Sequence, residues 1–459
     1  MTDEGAFMEK PCLKGARGRF CAGDAVSFHG ATMRKWGRFC SNMKVIRRVV
    51  LTAGIFLACT SSAAVFDVRE FGAKGDGVTK DTLAIQKAID ACAAAGGGRV
   101  LLDGGVFRSG TIYLKSHVEF HVAMGARLFG SDNLADYNAL DAFPQNGGIV
   151  KDEGWQYKHL IVCVEQEDVV LSGEGTIDAN GRAFFDCERE SCRGDINWRF
   201  GGFNAKDFEH AARPGQVVIF AECRNVRVKD LRFVDSTAWT CFFHGCENVQ
   251  VRGITVANDC RDMNTDGVDI DCCRNVTVSD CIFNTGDDGV AIRAVPDRLK
   301  DKTRVCENIL VENCTARVSA CGIRIGVGGG TIRHVTISNY IVQQAELGIC
   351  IQSVYGKSAG VDISDIAIGN VSIRRSPYAL WIQGDNGKRP RDIRFSNVQI
   401  FEDDTVPDRP MIHLRDADAV TFTGCRIGRE DGVSRPLDIK KDTCGLPHVS
   451  RPPNPNLSL

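Results

Sequence analysis

Asp266, Asp287 and Asp288 are the residues of this chain best placed to do chemistry. Asp266 sits in Asn264-Thr265-Asp266-Gly267-Val268-Asp269, and the pair sits in Gly286-Asp287-Asp288, 21 residues further on. That spacing is close to an internal repeat of the chain. If each repeat forms one coil of a solenoid, Asp266 lies directly beneath the pair and three carboxylates converge on one patch. Carboxyl groups so arranged can cleave a glycosidic bond, one protonating the leaving oxygen while another activates water. Like charges held close raise at least one pKa, which keeps a proton available for donation.

The elements that must position these groups are legible as a repeat. Cys223-Arg-Asn-Val-Arg-Val, Cys246-Glu-Asn-Val-Gln-Val, Cys273-Arg-Asn-Val-Thr-Val and Cys306-Glu-Asn-Ile-Leu-Val share one pattern. It continues in weaker form from Ile332, Val361, Arg391 and Ala417. Each unit is a short apolar alternation with Gly, Asn or Asp close by, which is strand patterning with turn punctuation. Units of 23 and 27 residues (Asn225 to Asn248, then to Asn275) are too small to bury their own core and must stack. With no helical pattern between strands, the expectation is an all-β chain folded as a parallel β-helix. Strand spacing then puts successive coils about 4.8 Å apart, with the repeated Cys and Asn positions forming ladders along the axis.

Length alone would allow several domains in 459 residues, but stacked coils extend indefinitely and argue for one. Before the repeats, Met43 to Arg48 is basic, Val49 to Cys59 is apolar, and Ser62-Ala63-Ala64 offers the small residues of a signal-peptidase site. The expected division is therefore an upstream, mis-assigned start over 1–42, a signal peptide over 43–64, the β-helix domain over 65–445 and a Pro-rich disordered tail over 446–459. A lipoprotein anchored through Cys59 ranks second to a secreted or periplasmic product. Removing the 10 basic and 4 acidic residues of 1–64 leaves 46 against 54, a net charge of −8. Such a body does not attract nucleic acid or anionic lipid, and no apolar run of 18 residues offers a membrane span. A monomer without cofactor is expected. Of the 21 cysteines, 17 follow Ala64. Stacked buried thiols explain them better than a disulfide framework, with Cys187 and Cys192 as the best local pair. No spacing resembles a zinc site, so no metal is assigned.

Leu83, Ile85, Ala88, Ile89 and Cys92 follow Thr79 and Asp81 at near-helical spacing, with Gly96-Gly97-Gly98 as the stop. This helix is expected to cap the open end of the stack, which would otherwise expose strand edges and core. Residues 131–160, 182–215 and 294–304 are expected to be loops, the first two flanking a cleft.

Phe66 to Gly77, Gly173 to Asp178, the Asn-Thr-Asp-Gly run and the Gly-Asp-Asp run together resemble glycoside hydrolase family 28, the polygalacturonases and rhamnogalacturonan hydrolases. The resemblance covers roughly residues 65–400, in the family's order. It implies a right-handed β-helix and hydrolysis of a pectin-related polysaccharide with inversion. It also implies Asp287 as general acid, Asp266 and Asp288 as the groups that position and activate water, and Asn264 as orienting the cluster. Asp269 and Asp271 read as turn or ladder residues. Two departures bear on substrate. The family's Gly-His-Gly appears as Ala320-Cys321-Gly322, and its uronate-binding Arg-Ile-Lys appears as Cys350-Ile351-Gln352. Strand alternation turns Arg293 and Arg324 outward, where they could bind a uronate in compensation. Trp239, as sugar platform or core, and His244 stay undecided. Two rival classes remain. A β-helix lyase would need Ca²⁺ on carboxylates and an Arg or Lys base. A carbohydrate-binding relative would release no reducing ends.

Overall fold

The computed structural model describes residues 64–139, 155–190 and 212–439, with gaps at 357, 386, 403–410 and 430–431, and the short strands 149–150, 203–205 and 443–444. The upstream start, the signal peptide up to Ala63, the Pro-rich tail and the Cys187–Cys192 pairing lie outside the described residues. The remainder is a right-handed parallel β-helix. A 21-stranded sheet and an 11-stranded sheet run the length of the stack, and nearly every pairing in them is parallel. Among the described residues no helix is long and apolar enough to cross a membrane.

Alternation in the sequence becomes alternation in space. Val226, Val249, Val276 and Ile309 occupy one register row, and Val228, Val251, Val278 and Val311 another. All eight are buried. Each such side chain contributes roughly 1.5–3 kcal/mol by leaving water. The expected ladders form. Asn248 Nδ2 donates to Asn225 Oδ1, Asn275 to Asn248 and Asn308 to Asn275, each at 3.0 Å. Their φ angles lie between 55° and 60°, a left-handed conformation that Asn tolerates better than most residues. Where the repeat weakens, His334, Asp365, Asp392 and Ala419 adopt the same conformation. A second ladder, through Asp280, Asn313, Asn339, Asn370 and Asn397, marks a second bend. From Cys306 to Phe401 the two short strands of each coil fuse into one long bent strand, as in Cys306–Val318 and Thr331–Gln344. All 14 described free cysteines are buried, and Cys163 and Cys223 stack at 3.7 Å between sulfurs.

Helix Thr82–Ala94 buries Ile85, Ala88, Ile89 and Cys92 over the first coil. Asp81 occupies its N-cap position but makes no capping bond; its carboxylate instead accepts from the Lys74 and Gly75 amides at 2.7 and 2.9 Å. Thr79 lies in the preceding strand Asp76–Lys80 and does not cap either. The 294–304 segment is irregular as expected, and Arg298 Nη1 donates to Tyr157 Oη at 2.9 Å, tying it to the 131–160 region.

Candidate active site

The smaller sheet carries the acidic cluster. Its strands Val268–Asp271 and Val290–Ala294 pair with Val268 opposite Val290, and the Gly267 amide donates to the Asp288 carbonyl at 3.0 Å. The offset is therefore 22 residues, so Asp266 lies under Asp288, with Asp287 one step to the side. One carboxylate oxygen from each of Asp266, Asp287 and Asp288 lies within 4.8 Å of the others. The turns that deliver them are held tightly. Thr265 Oγ1 donates to the Asp262 carbonyl at 2.8 Å and accepts from the Gly286 amide at 2.9 Å. A Cβ on Gly286 would stand 1.8 Å from the Asp262 carbonyl oxygen, and one on Gly267 would stand 2.4 Å from that of Gly289. Both glycines are needed because neighbouring coils pass too close for a side chain.

The electrostatics are uneven. Burial pushes the Asp266 carboxyl well above the usual carboxylate range, and the charges of Asp287, Asp269 and Asp288 add to the effect. Asp269 is raised in the same way, first by burial and then by Asp288 and Asp271, against the opposing pull of Arg293. Asp288 is held by protein donors. It accepts from the Cys321 amide at 2.8 Å, from Arg324 Nη2 at 3.3 Å, and more closely from Arg324 Nε. Asp287 is the most exposed of the three, at 6 % against 3 % for the others.

Around this cluster lie groups whose roles the sequence left open. Arg293 is half-buried, 3.6 Å from Asp269 and 3.8 Å from Asp271, with its guanidinium 4.2 Å above the Trp239 ring. His244 is buried 3.4 Å from Asp271. Asp269, expected as a ladder or turn residue, is fully buried against Arg293. Asn264 is 4 % exposed, holds a φ of 58°, and accepts from Arg213 Nη2 at 2.9 Å. Arg213, missed from sequence, is fully buried, stacks over Phe185 at 5.0 Å and donates to the Thr237 carbonyl. It stands in an irregular segment, without the flanking repeat that drew attention to the aspartates. Asp266, Asp287 and Asp288 are also the only described group compact enough to suit a cation. Arg324 already supplies positive charge to one of them.

A carboxylate cluster on the face of a parallel β-helix defines a class of polysaccharide-cleaving proteins, and comparison with known proteins places this chain within it. The model of the glycosyl hydrolases family 28 matches residues 146–412, and the chain belongs to that family. A rhamnogalacturonase A/epimerase, pectate lyase-like model matches residues 65–156. A probable polygalacturonase of Vitis vinifera is 25% identical over 345 residues, covering 74% of this chain and 66% of that protein. An endo-polygalacturonase of Pectobacterium carotovorum subsp. carotovorum is 23% identical, covering 71% of this chain and 85% of its own length. In fold, the chain is similar to the Yersinia enterocolitica family 28 exopolygalacturonase (TM-score 0.60, 19% identity, 85% of this chain and 78% of that one).

Proposed function

We propose that this protein hydrolyses glycosidic bonds in a pectin-related, uronate-containing polysaccharide, using Asp266, Asp287 and Asp288. The observation that carries this reading is the convergence of the three carboxylates from two successive coils, in a family 28 chain. Burial of Asp266 against its neighbours favours the protonated carboxyl there, and a proton so held is shared by the coupled group. Asp287, the most exposed member, donates it to the leaving oxygen. Asp266 and Asp288 hold the water, with Asp288 fixed by Arg324. Inversion is part of the proposal on the strength of the family resemblance. The nearest oxygens are closer than the ~6.5–9.5 Å usual for inverting pairs, so the anomeric configuration of the first product is the deciding measurement. Arg324 and Arg293 act in this scheme as organisers of the aspartates more than as clamps for a uronate, since both already lie against carboxylates.

The test is a polysaccharide panel: homogalacturonan, rhamnogalacturonan and neutral controls, scored by reducing ends and by NMR of the newly formed anomer. New reducing ends with saturated termini, unaffected by chelator, are expected. Chelator-sensitive release of an unsaturated, ultraviolet-absorbing product would establish a lyase, and binding without cleavage a carbohydrate-binding relative. Export belongs to the same proposal. The first described strand, Val65–Asp67, pairs with Arg99–Leu101, so the folded domain reaches back to Val65. N-terminal sequencing of the exported product should begin near that residue.

A further inference from the structure

The outer face of the smaller sheet is covered on one side of the aspartates and open on the other. In the three coils before Asp266, Val162, Ile219, Ala221, Phe242 and His244 occupy outward rows yet are buried; only Val164, at the far corner, keeps part of its surface. From Gln352 onward the same rows are partly exposed at Gln352, Trp381, Gln383 and His413 and fully exposed at Arg415. A strap accounts for the covered side. After strand Val290–Ala294 the chain turns back over the ends of the four preceding strands. Arg304 donates to the Cys272 and Cys246 carbonyls, both at 3.0 Å. Leu299 is buried on Gly245, where a Cβ would stand 2.5 Å from its Cδ2. The Lys300 amide donates to Glu222 Oε1 at 2.8 Å, and its ammonium pairs with Glu165. From this strap Arg298 donates to the Tyr157 hydroxyl at 2.9 Å, with its guanidinium 5.5 Å from the ring centroid.

That contact spans the sheet. Tyr157 precedes strand Ile161–Val164, on the side where the strands begin, and Arg298 follows Val290–Ala294, on the side where they end. Core fills the inner face, so the two side chains meet over the outer one. Beneath them Tyr157 packs on Trp239, which meets Phe242 edge-on at 5.2 Å and carries the Arg293 guanidinium at 4.2 Å. Trp239 stands one coil before Asp266 and two before Asp288, roughly 4.8 and 9.6 Å at the usual strand spacing.

We propose that the strap, Tyr157 and Trp239 form an end wall of the cleft, so that the protein acts on polysaccharide chain ends and releases mono- or disaccharides. The inference rests on the hydrolase reading above and adds the mode of attack, with Arg298 and Tyr157 as the residues that determine it. A cleft open at both ends lets a long polymer lie across the aspartates and be cut internally. Here a chain enters from the C-terminal side alone, and what passes Asp287 has only the two coils before Trp239 to occupy. A strap that merely covered strand ends would need no side chain reaching across the sheet to Tyr157.

The experiment follows digestion of homogalacturonan and of rhamnogalacturonan by wild-type protein, comparing viscosity with reducing ends and sizing the early products by chromatography. Mono- or disaccharides should be the only early products, with viscosity nearly unchanged. The Tyr157→Ala, Arg298→Ala double variant should raise the share of longer oligosaccharides about fivefold or more, and Tyr157→Phe, which keeps the ring and loses the hydrogen bond, should raise it less. Melting temperatures check that both variants are folded. Early long oligosaccharides with a steep fall in viscosity from wild-type protein overturn the end wall, as does an unchanged product pattern in the folded double variant. Binding separates this result from the hydrolase reading. On the Asp287→Asn protein, calorimetry with oligomers of both polymers should show affinity about tenfold or more weaker for a bulky tag at one chain end than at the other. Equal affinity for both tagged forms overturns the end wall. End-sensitive binding with no reducing ends from wild-type protein would sink the hydrolase reading and leave the wall standing.

Discussion

Arg324 grips Asp288 from the next coil, through both Nε and Nη2, and both residues are buried. A planar guanidinium offers paired donors in a fixed fork, so this contact fixes the orientation of the carboxylate. The Cys321 amide takes the same carboxylate at 2.8 Å. Asp288 is thereby pre-set before any substrate arrives.

Arg324→Ala should accordingly lower kcat far more than it raises KM, because it removes an organiser of the reacting groups. The cost in stability should be about 3–5 kcal/mol, since a buried carboxylate loses its partner. Arg324→Lys should recover part of the stability and little of the kcat, a point charge being unable to reproduce the fork. Steady-state kinetics on acidic and neutral substrates, with denaturant titrations alongside, check both. A loss confined to KM on uronate substrates would return Arg324 to the role of a substrate clamp.

Asp287→Asn keeps the shape of the cluster and removes a transferable proton. Turnover should fall by about a hundredfold or more, with melting temperature unchanged or raised, because Asn cannot ionise within the crowded carboxylate cluster. Near-normal activity in this variant would shift the donor to Asp266, whose carboxyl is the one pushed up by burial.

A pH effect on stability should arise beside the site. Asp262 carries the carbonyl against which Gly286 packs, and its carboxyl is 1 % exposed and 3.3 Å from Arg182. Burial raises it to about 7, with Asp259 and Asp235 adding to the rise and Arg182 opposing it. A carboxyl whose folded-state pKa is raised stabilises the fold fully below its unfolded value near 3.8, and that contribution is lost as pH rises to about 7. Asp262→Asn should therefore remove a slope of up to about 1.4 kcal/mol per pH unit between pH 4 and 7, and melt higher than wild type at pH 8. Parallel slopes for the two proteins over that window would show that Asp262 ionises normally.

The parts legible in the sequence were those set by local periodicity. Alternating Val positions and left-handed Asn225, Asn248, Asn275 and Asn308 are repeated within each coil, so the β-helix and its first ladder could be read directly. The second ladder was hidden because Asn313, Asn339, Asn370 and Asn397 fall inside what became single long strands. Asp269 looked like any outward strand residue; its burial comes from Arg293 and its neighbours on the following coils. Arg324 was correctly turned outward from the sheet. That it would meet Asp288 depended on a loop of irregular length, which sets where the next coil begins. Side-chain partners across coils are set by such insertions, and strand periodicity does not encode them.

The last prediction separates backbone from side chain at Asn264. This residue combines a φ of 58° with an Oδ1 that accepts from Arg213, and it sits two positions before Asp266. Alanine would lose the hydrogen bond and strain the turn together. Glycine keeps the left-handed conformation at no steric cost and deletes only the bond. If Arg213 fixes the turn that presents Asp266, Asn264→Gly should lower kcat about tenfold with KM nearly unchanged. It should also cost about 1–3 kcal/mol, because the buried Arg213 loses its hydrogen bond to Asn264. Arg213→Ala, tested beside it, should give the same kinetic defect, and the double variant should add little to it, as expected for two residues acting through one contact. Additive losses would mean that Asn264 and Arg213 support the site by separate routes.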